Sequence, residues 1–243
     1  RADLYMRMNY SCSSYEESCS NRYLFKALDL YERNSIISSN RAIVYLSLVN
    51  DESIDEQTRL EYAEAGEQVA SKAKHSKNLV FSFNSARSEI YESNQDLENA
   101  EQYLVRNIQQ EAESDSDVMY IKNSYRELAN FYIRHSDKAK AIGLLKGYLD
   151  APPSEEPKWE TIHEKVEYWM AWLLVDSDPN MAKEYLNKLE PQNPSDNIEI
   201  HLAHALVDER LGSESSDQLR TKVHEHVSDI EGIYEVAMLY GYL

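Results

Sequence analysis

Apolar residues recur along this chain with the period of helices that bury one face, and the pattern itself returns. Ala100-x3-Leu104, Ala141-x3-Leu145 and Ala182-x3-Leu186 fall at 41-residue intervals, each preceded by its own apolar-periodic segment. A pair of helices cannot bury its apolar face alone, so repeated pairs must stack on their neighbours to share a continuous core. The spacing predicts an all-α fold: an α-α superhelix, or solenoid, of antiparallel helix pairs with a long concave surface. No long stretch alternates with the period of two that a half-buried strand requires, so sheet is not expected.

Helices are expected over 22–33, 38–50 and 55–75, the last with Leu60, Ala63, Ala70 and Ala73 facing inward. Four pairs follow: 77–93 with 96–113, 116–135 with 137–149, 159–176 with 179–189, and 196–211 with 216–229. Asp137 and Asp178 stand where N-caps accept the first orphan amide hydrogens, and Pro179 takes the first helical position, where its missing N–H costs nothing. Pro152, Pro153 and Pro157 break the chain between pairs, Pro191 and Pro194 break it again, and Gly212 stops the helix before it. The expected organisation is an irregular helical segment over 1–50 and a repeat domain over 51–243, its best repeats at 77–115, 116–157 and 158–195.

Composition fits a solvated helical protein: 243 residues, 42% hydrophobic, 28% charged, with only six glycines and six prolines. A net charge of -18 repels phosphate backbones and anionic membranes, and no run of Lys and Arg overrides it, so nucleic acid is not an expected partner. No stretch of about 18 apolar residues is present to enter a membrane directly. The missing initial Met and leader are expected to reflect processing or excision from a longer chain. Cys12 and Cys19 lie in the Ser-rich stretch SCSSYEESCS. On a straight helix they would stand about 10.5 Å apart, too far for a disulfide. A bond between them needs a loop, and two unrelated thiols are the alternative. The Ser-, Asn- and Tyr-rich composition tips the expectation toward an extracytoplasmic or periplasmic location, with the cytoplasm as the alternative.

The unit 122–155 carries Tyr125, Leu128, Ala129 and Tyr132 on its first helix, Ala141, Leu145 and Tyr148 on its second, and Pro153 after the pair. This arrangement resembles the tetratricopeptide repeat, as a divergent member. Ala129 and Ala141 are small where two helices would cross, and Leu128, Tyr132 and Leu145 fill the space around them. Met170, Ala171, Leu174, Ala182, Leu186, Leu189 and Pro194 follow the same pattern, and Phe83, Ala86, Ile90, Ala100 and Leu104 follow it more loosely. The period near 41 exceeds the family's 34, and Tyr148 is bulky where the family prefers a small residue.

The resemblance implies a groove lined by set positions on the first helix of each repeat: Asn123, Arg126, Asn130, Ile133 and Arg134, then Lys165, Tyr168, Trp172 and Val175. Arg126, Asn130 and Arg134 would form a polar, partly basic stripe beside the aromatic pair Tyr168 and Trp172. Such a groove suits a protein or peptide with an acidic group and large apolar side chains. The family's carboxylate clamp is not reproduced, because Trp169 and Trp172 stand where a second Asn is needed.

Candidate chemistry is sparse. His201-x2-His204-x3-Asp208 shares one helical face, His224-x-His226 does not, and Glu160-x2-His163 has no second copy. No Gly-rich phosphate loop or nucleophile elbow is present. The expectation is a protein without catalytic residues, bound metal or cofactor, acting as an adaptor or scaffold. The alternative is a ligand- or peptide-sensing input domain of a larger bacterial signalling or transcription-regulating protein. The stretch 233–243 is apolar on nearly every face, which makes a homodimer contact through a C-terminal helix one expectation for it.

Overall fold

The computed structural model describes residues 2, 5, 20–73, 77–112, 118–150, 157–189, 198–213 and 221. Every regular element among them is a helix: α1 Ser20–Arg33, α2 Ser39–Val49, α3 Glu56–Lys72, α4 Lys77–Ser93, α5 Leu97–Ala112, α6 Val118–Arg134, α7 Lys138–Asp150, α8 Pro157–Leu174, α9 Pro179–Lys188 and α10 Ile198–Arg210. Cys12, Cys19, His224, His226 and the stretch 233–243 lie outside the described residues. No described helix is long and apolar enough to cross a membrane.

The chain divides into two compact units, 1–128 and 129–243, with the division inside α6. In the first unit, α1 packs on α2, α2 on α3, α3 on α4 and α4 on α5, and α2 also reaches α4. In the second, α7 packs on α8, α8 on α9 and α9 on α10, and α8 also reaches α10. Within the segment 1–50, the helices expected over 22–33 and 38–50 are present as α1 and α2. Leu24, Leu28 and Tyr31 of α1 and Val44, Tyr45 and Leu48 of α2 share one core with Ala63 and Val69 of α3 and Phe83 and Ile90 of α4.

Four aspartates set a common register. Asp55, Asp96, Asp137 and Asp178 are spaced by 41 residues, and each starts the second helix of a pair. Their carboxylates accept the backbone N–H three residues on, from Thr58, Asn99, Lys140 and Met181, at 3.0, 3.3, 3.1 and 3.1 Å. One orphan amide at each helix start is thereby satisfied. Four residues after the last three caps stand Ala100, Ala141 and Ala182, all with no exposed surface, and four further on stand the buried Leu104, Leu145 and Leu186. At the first cap, Arg59 takes the alanine position. Its Nε donates to the Val49 carbonyl at 2.6 Å and closes the end of α2.

The turns before the second helices repeat as well. Gln95 and Ser136 adopt left-handed backbone angles, φ 62 and 60, and the next amide reaches back to Tyr91 and Tyr132 carbonyls at 2.9 and 2.8 Å. Ser35 and Gly212 end α1 and α10 in the same way.

Removing the cap carboxylate by Asp96→Ala, Asp137→Ala or Asp178→Ala is expected to cost about 1 kcal/mol each, read from urea midpoints. At Asp55 the Thr58 N–H and hydroxyl hold the carboxyl below its ordinary range. A lowered folded value means that this contribution is whole at neutral pH. It fades as the pH drops below about 4 and through the folded value. In Asp55→Asn that part of the acid dependence is expected to disappear.

In the second unit, ion pairs fix the helices against one another. Lys188 reaches the buried Glu167 at 3.0 Å, Lys183 reaches the buried Asp208 at 2.8 Å, and Arg210 meets Asp176 at 2.8 Å. The carboxylate of Asp208, offered by the sequence beside His201 and His204, is thus committed to Lys183. No group of three or more His, Cys, Asp and Glu among the described residues is placed to hold a metal ion.

Candidate binding cleft on the first helices

The first helices of successive pairs are α2, α4 and α6, and within the first unit they border a cleft of about 300 Å³. Leu46 comes from α2 and Asn50 from the cap that ends it, Ser82, Ser85 and Glu89 from α4, and Ser124 and Glu127 from α6, with Phe81, Ala86 and Asn107 also among the described lining. Asn107 belongs to α5 and is buried, so its amide needs internal partners. It donates to the Phe81 carbonyl at 3.2 Å and the Ser85 hydroxyl oxygen at 3.3 Å, and accepts from Asn84 at 2.8 Å. Ser85 in turn donates to Glu127 Oε2 at 2.6 Å. This chain of bonds holds a carboxylate of α6 against α4, and the cleft offers a visitor acceptors and negative charge.

A second cleft, of about 460 Å³, lies between α3, α4 and α5. Its charges are largely engaged with its own walls. Buried Arg87 forms an ion pair with Glu67, and the Tyr103 ring lies 5.1 Å from the Arg87 guanidinium and 5.0 Å from that of Arg106. Tyr91 stacks on Tyr103 at 5.7 Å between ring centres, and burial pushes its hydroxyl pKa up. These contacts knit three helices together and leave less for a ligand than the first cleft does.

No known protein family matches this chain, and no curated protein does.

The residues singled out from the sequence are distributed as follows. Arg126, Asn130 and Arg134 are exposed on α6, Arg126 in the first unit and the other two in the second. Their stripe is less cationic than the spacing suggested, because Glu127 shares that side of the helix and faces Ser85. Asn123 and Lys165 lie on α6 and α8, their side chains outside the described set, and Ile133 is half-buried. Tyr168 and Trp172 are half-buried in the second unit and meet edge to face, 6.1 Å between ring centres at 80°. The Trp172 indole nitrogen is buried without an acceptor among the described residues. Val175, expected to line the groove, is a core residue at 4% exposure, in the turn where α8 gives way to α9.

Ser82, Ser85 and Glu89 were missed, yet they stand one 41-residue period before Asn123, Arg126 and Asn130. Shifting the groove positions back by one repeat finds three members of the cleft.

Proposed function

We propose that this chain is a tetratricopeptide-like superhelix without chemistry of its own, which holds a segment of another protein against the first helices of its pairs as an adaptor or scaffold. The observation that carries the reading is the cleft whose α4 lining, Ser82, Ser85 and Glu89, falls at the repeat positions by which such helices contact ligands. The shared 41-residue register of caps, buried alanines and buried leucines supports the repeat itself. Within the first unit, Arg126 stands exposed on α6 beside Glu127 of the cleft.

Photo-cross-linking tests this. A benzophenone amino acid placed at Ser82 or Glu89 is expected to capture the same partner from native extract, and one placed at Glu64, in the other cleft, is expected to capture none of it. Capture at Glu64 alone, or equally at all three positions, contradicts the reading.

A further inference from the structure

We infer that the cleft between α3, α4 and α5 binds a small zwitterion, a free α-amino acid whose carboxylate meets Arg106 and Arg87 and whose ammonium group meets Glu64 and Glu61. This cleft is separate from the one proposed to hold a protein segment. It lies within the first unit, and its volume of about 460 Å³ is in the range of small-molecule sites.

The walls carry opposite charges. Glu61, Glu64 and Glu67 line the cleft from α3, and Arg87 and Arg106 line it from α4 and α5. One pair is closed, since Glu67 holds Nη1 of the buried Arg87. A guanidinium carries five N–H donors, so that pairing does not exhaust Arg87. Arg106 rests on the Tyr103 ring and has no carboxylate partner among the described residues. Tyr103 lies against both guanidiniums and is itself stacked on Tyr91, so the two cations are held near each other with one glutamate to serve both. On the acidic wall, Glu64 has no partner among the described residues, and Glu61 accepts one bond, from Gln57 at 3.3 Å.

Charge balance selects the ligand. An anion alone would meet three glutamates and the field of a molecule with net charge -18, and a cation alone would meet two arginines. A zwitterion satisfies both walls and brings no net charge into that field. Leu60 and the rings of Tyr91 and Tyr103 offer apolar surface to its side chain, which favours a large apolar or aromatic one.

The test is calorimetric titration of the full chain with each of the twenty free amino acids. Binding is expected, tightest among the large apolar and aromatic ones. The best binder is then compared with its N-acetyl derivative, which lacks the ammonium charge, and with its amide, which lacks the carboxylate. Each derivative is expected to bind at least tenfold more weakly. In Arg106→Gln the preference over the amide is expected to fall below threefold while the preference over the N-acetyl derivative persists. In Glu61→Gln/Glu64→Gln the reverse is expected. Ser82→Trp, in the other cleft, is expected to leave every affinity within twofold. The ratio between ligands is the readout, so a general loss of folding cannot imitate the result.

Binding of none of the twenty would overturn the inference, as would preferences that survive both variants. An amide or N-acetyl derivative that binds as tightly as the free amino acid would overturn it too, because the cleft would then read one charge and not two. Each of these results leaves the proposed protein-binding cleft untouched.

Discussion

Gly66→Ala is expected to destabilise the protein by about 3 kcal/mol, the upper end for overpacking a core. Gly66 lies within α3, where alanine would normally be the better helix former by about 1 kcal/mol. Here the neighbours reverse that preference. A Cβ at this position would stand 2.8 Å from the Cβ of Tyr45 on α2 and collide with the ring of Phe83 on α4. Phe83 has no exposed surface and cannot swing outward. The other side of the contact is also held, since the Tyr45 hydroxyl donates to Glu32 at 2.6 Å. Urea denaturation measures the loss, and Gly66→Ala combined with Phe83→Leu should recover part of it by giving the methyl room. An additive double variant would mean that the ring is not what excludes the methyl group.

Leu145→Ala and Leu186→Ala are each expected to cost about 2–5 kcal/mol, the range for deleting a fully buried leucine. Both side chains have no exposed surface, and both lie four residues after a buried alanine and eight after a capping aspartate. Truncation leaves a cavity that the close-packed surroundings fill only partly. Lys146→Ala, one residue along α7 on an exposed position, is expected to change stability by less than about 0.5 kcal/mol. Comparable losses at Leu145 and Leu186 with no loss at Lys146 are the expected pattern in guanidinium denaturation. A small loss at either leucine would break the repeat register at that pair.

Much of the helical architecture was legible because its signals are local and strong. Pro179 at a helix start, Asp137 and Asp178 as caps, and the Ala-x3-Leu spacing each act within two turns, and α4, α7 and α9 begin and end within a residue of their expected limits. Asp55 was harder to recognise as a fourth cap, because Arg59 occupies the place where the other pairs carry alanine. Gly66 gave no sign of its role, since a close approach of α2, α3 and α4 is a property of the packed chain and not of any one helix.

The site was legible only in register. Arg126, Asn130 and Arg134 attract notice as charged and amide groups on one stripe, whereas Ser82 and Ser85 are small polar residues of a kind found on any solvated helix. Glu127 reads as one more surface acid until Ser85, 42 residues away, is placed against it. Asn84 and Asn107 likewise become a buried network only once α4 and α5 are packed. The mistaken placing of Val175 in the groove has a plain cause: the rule assumes helix at that position, and α8 has already ended at Leu174.

The proposed binding face depends on the proposed repeat, so the repeat is the claim to test. Gln57, Glu98, Ala139 and Asn180 are exposed equivalents, each two residues after a capping aspartate. In a Cys12→Ser/Cys19→Ser background, spin labels placed at 57 and 98 report the spacing of neighbouring pairs in the first unit, and labels at 139 and 180 report it in the second. Electron–electron resonance should return the same narrow distance for both pairs of labels. Two clearly different distances would contradict a common 41-residue unit and, with it, the groove positions that define the site.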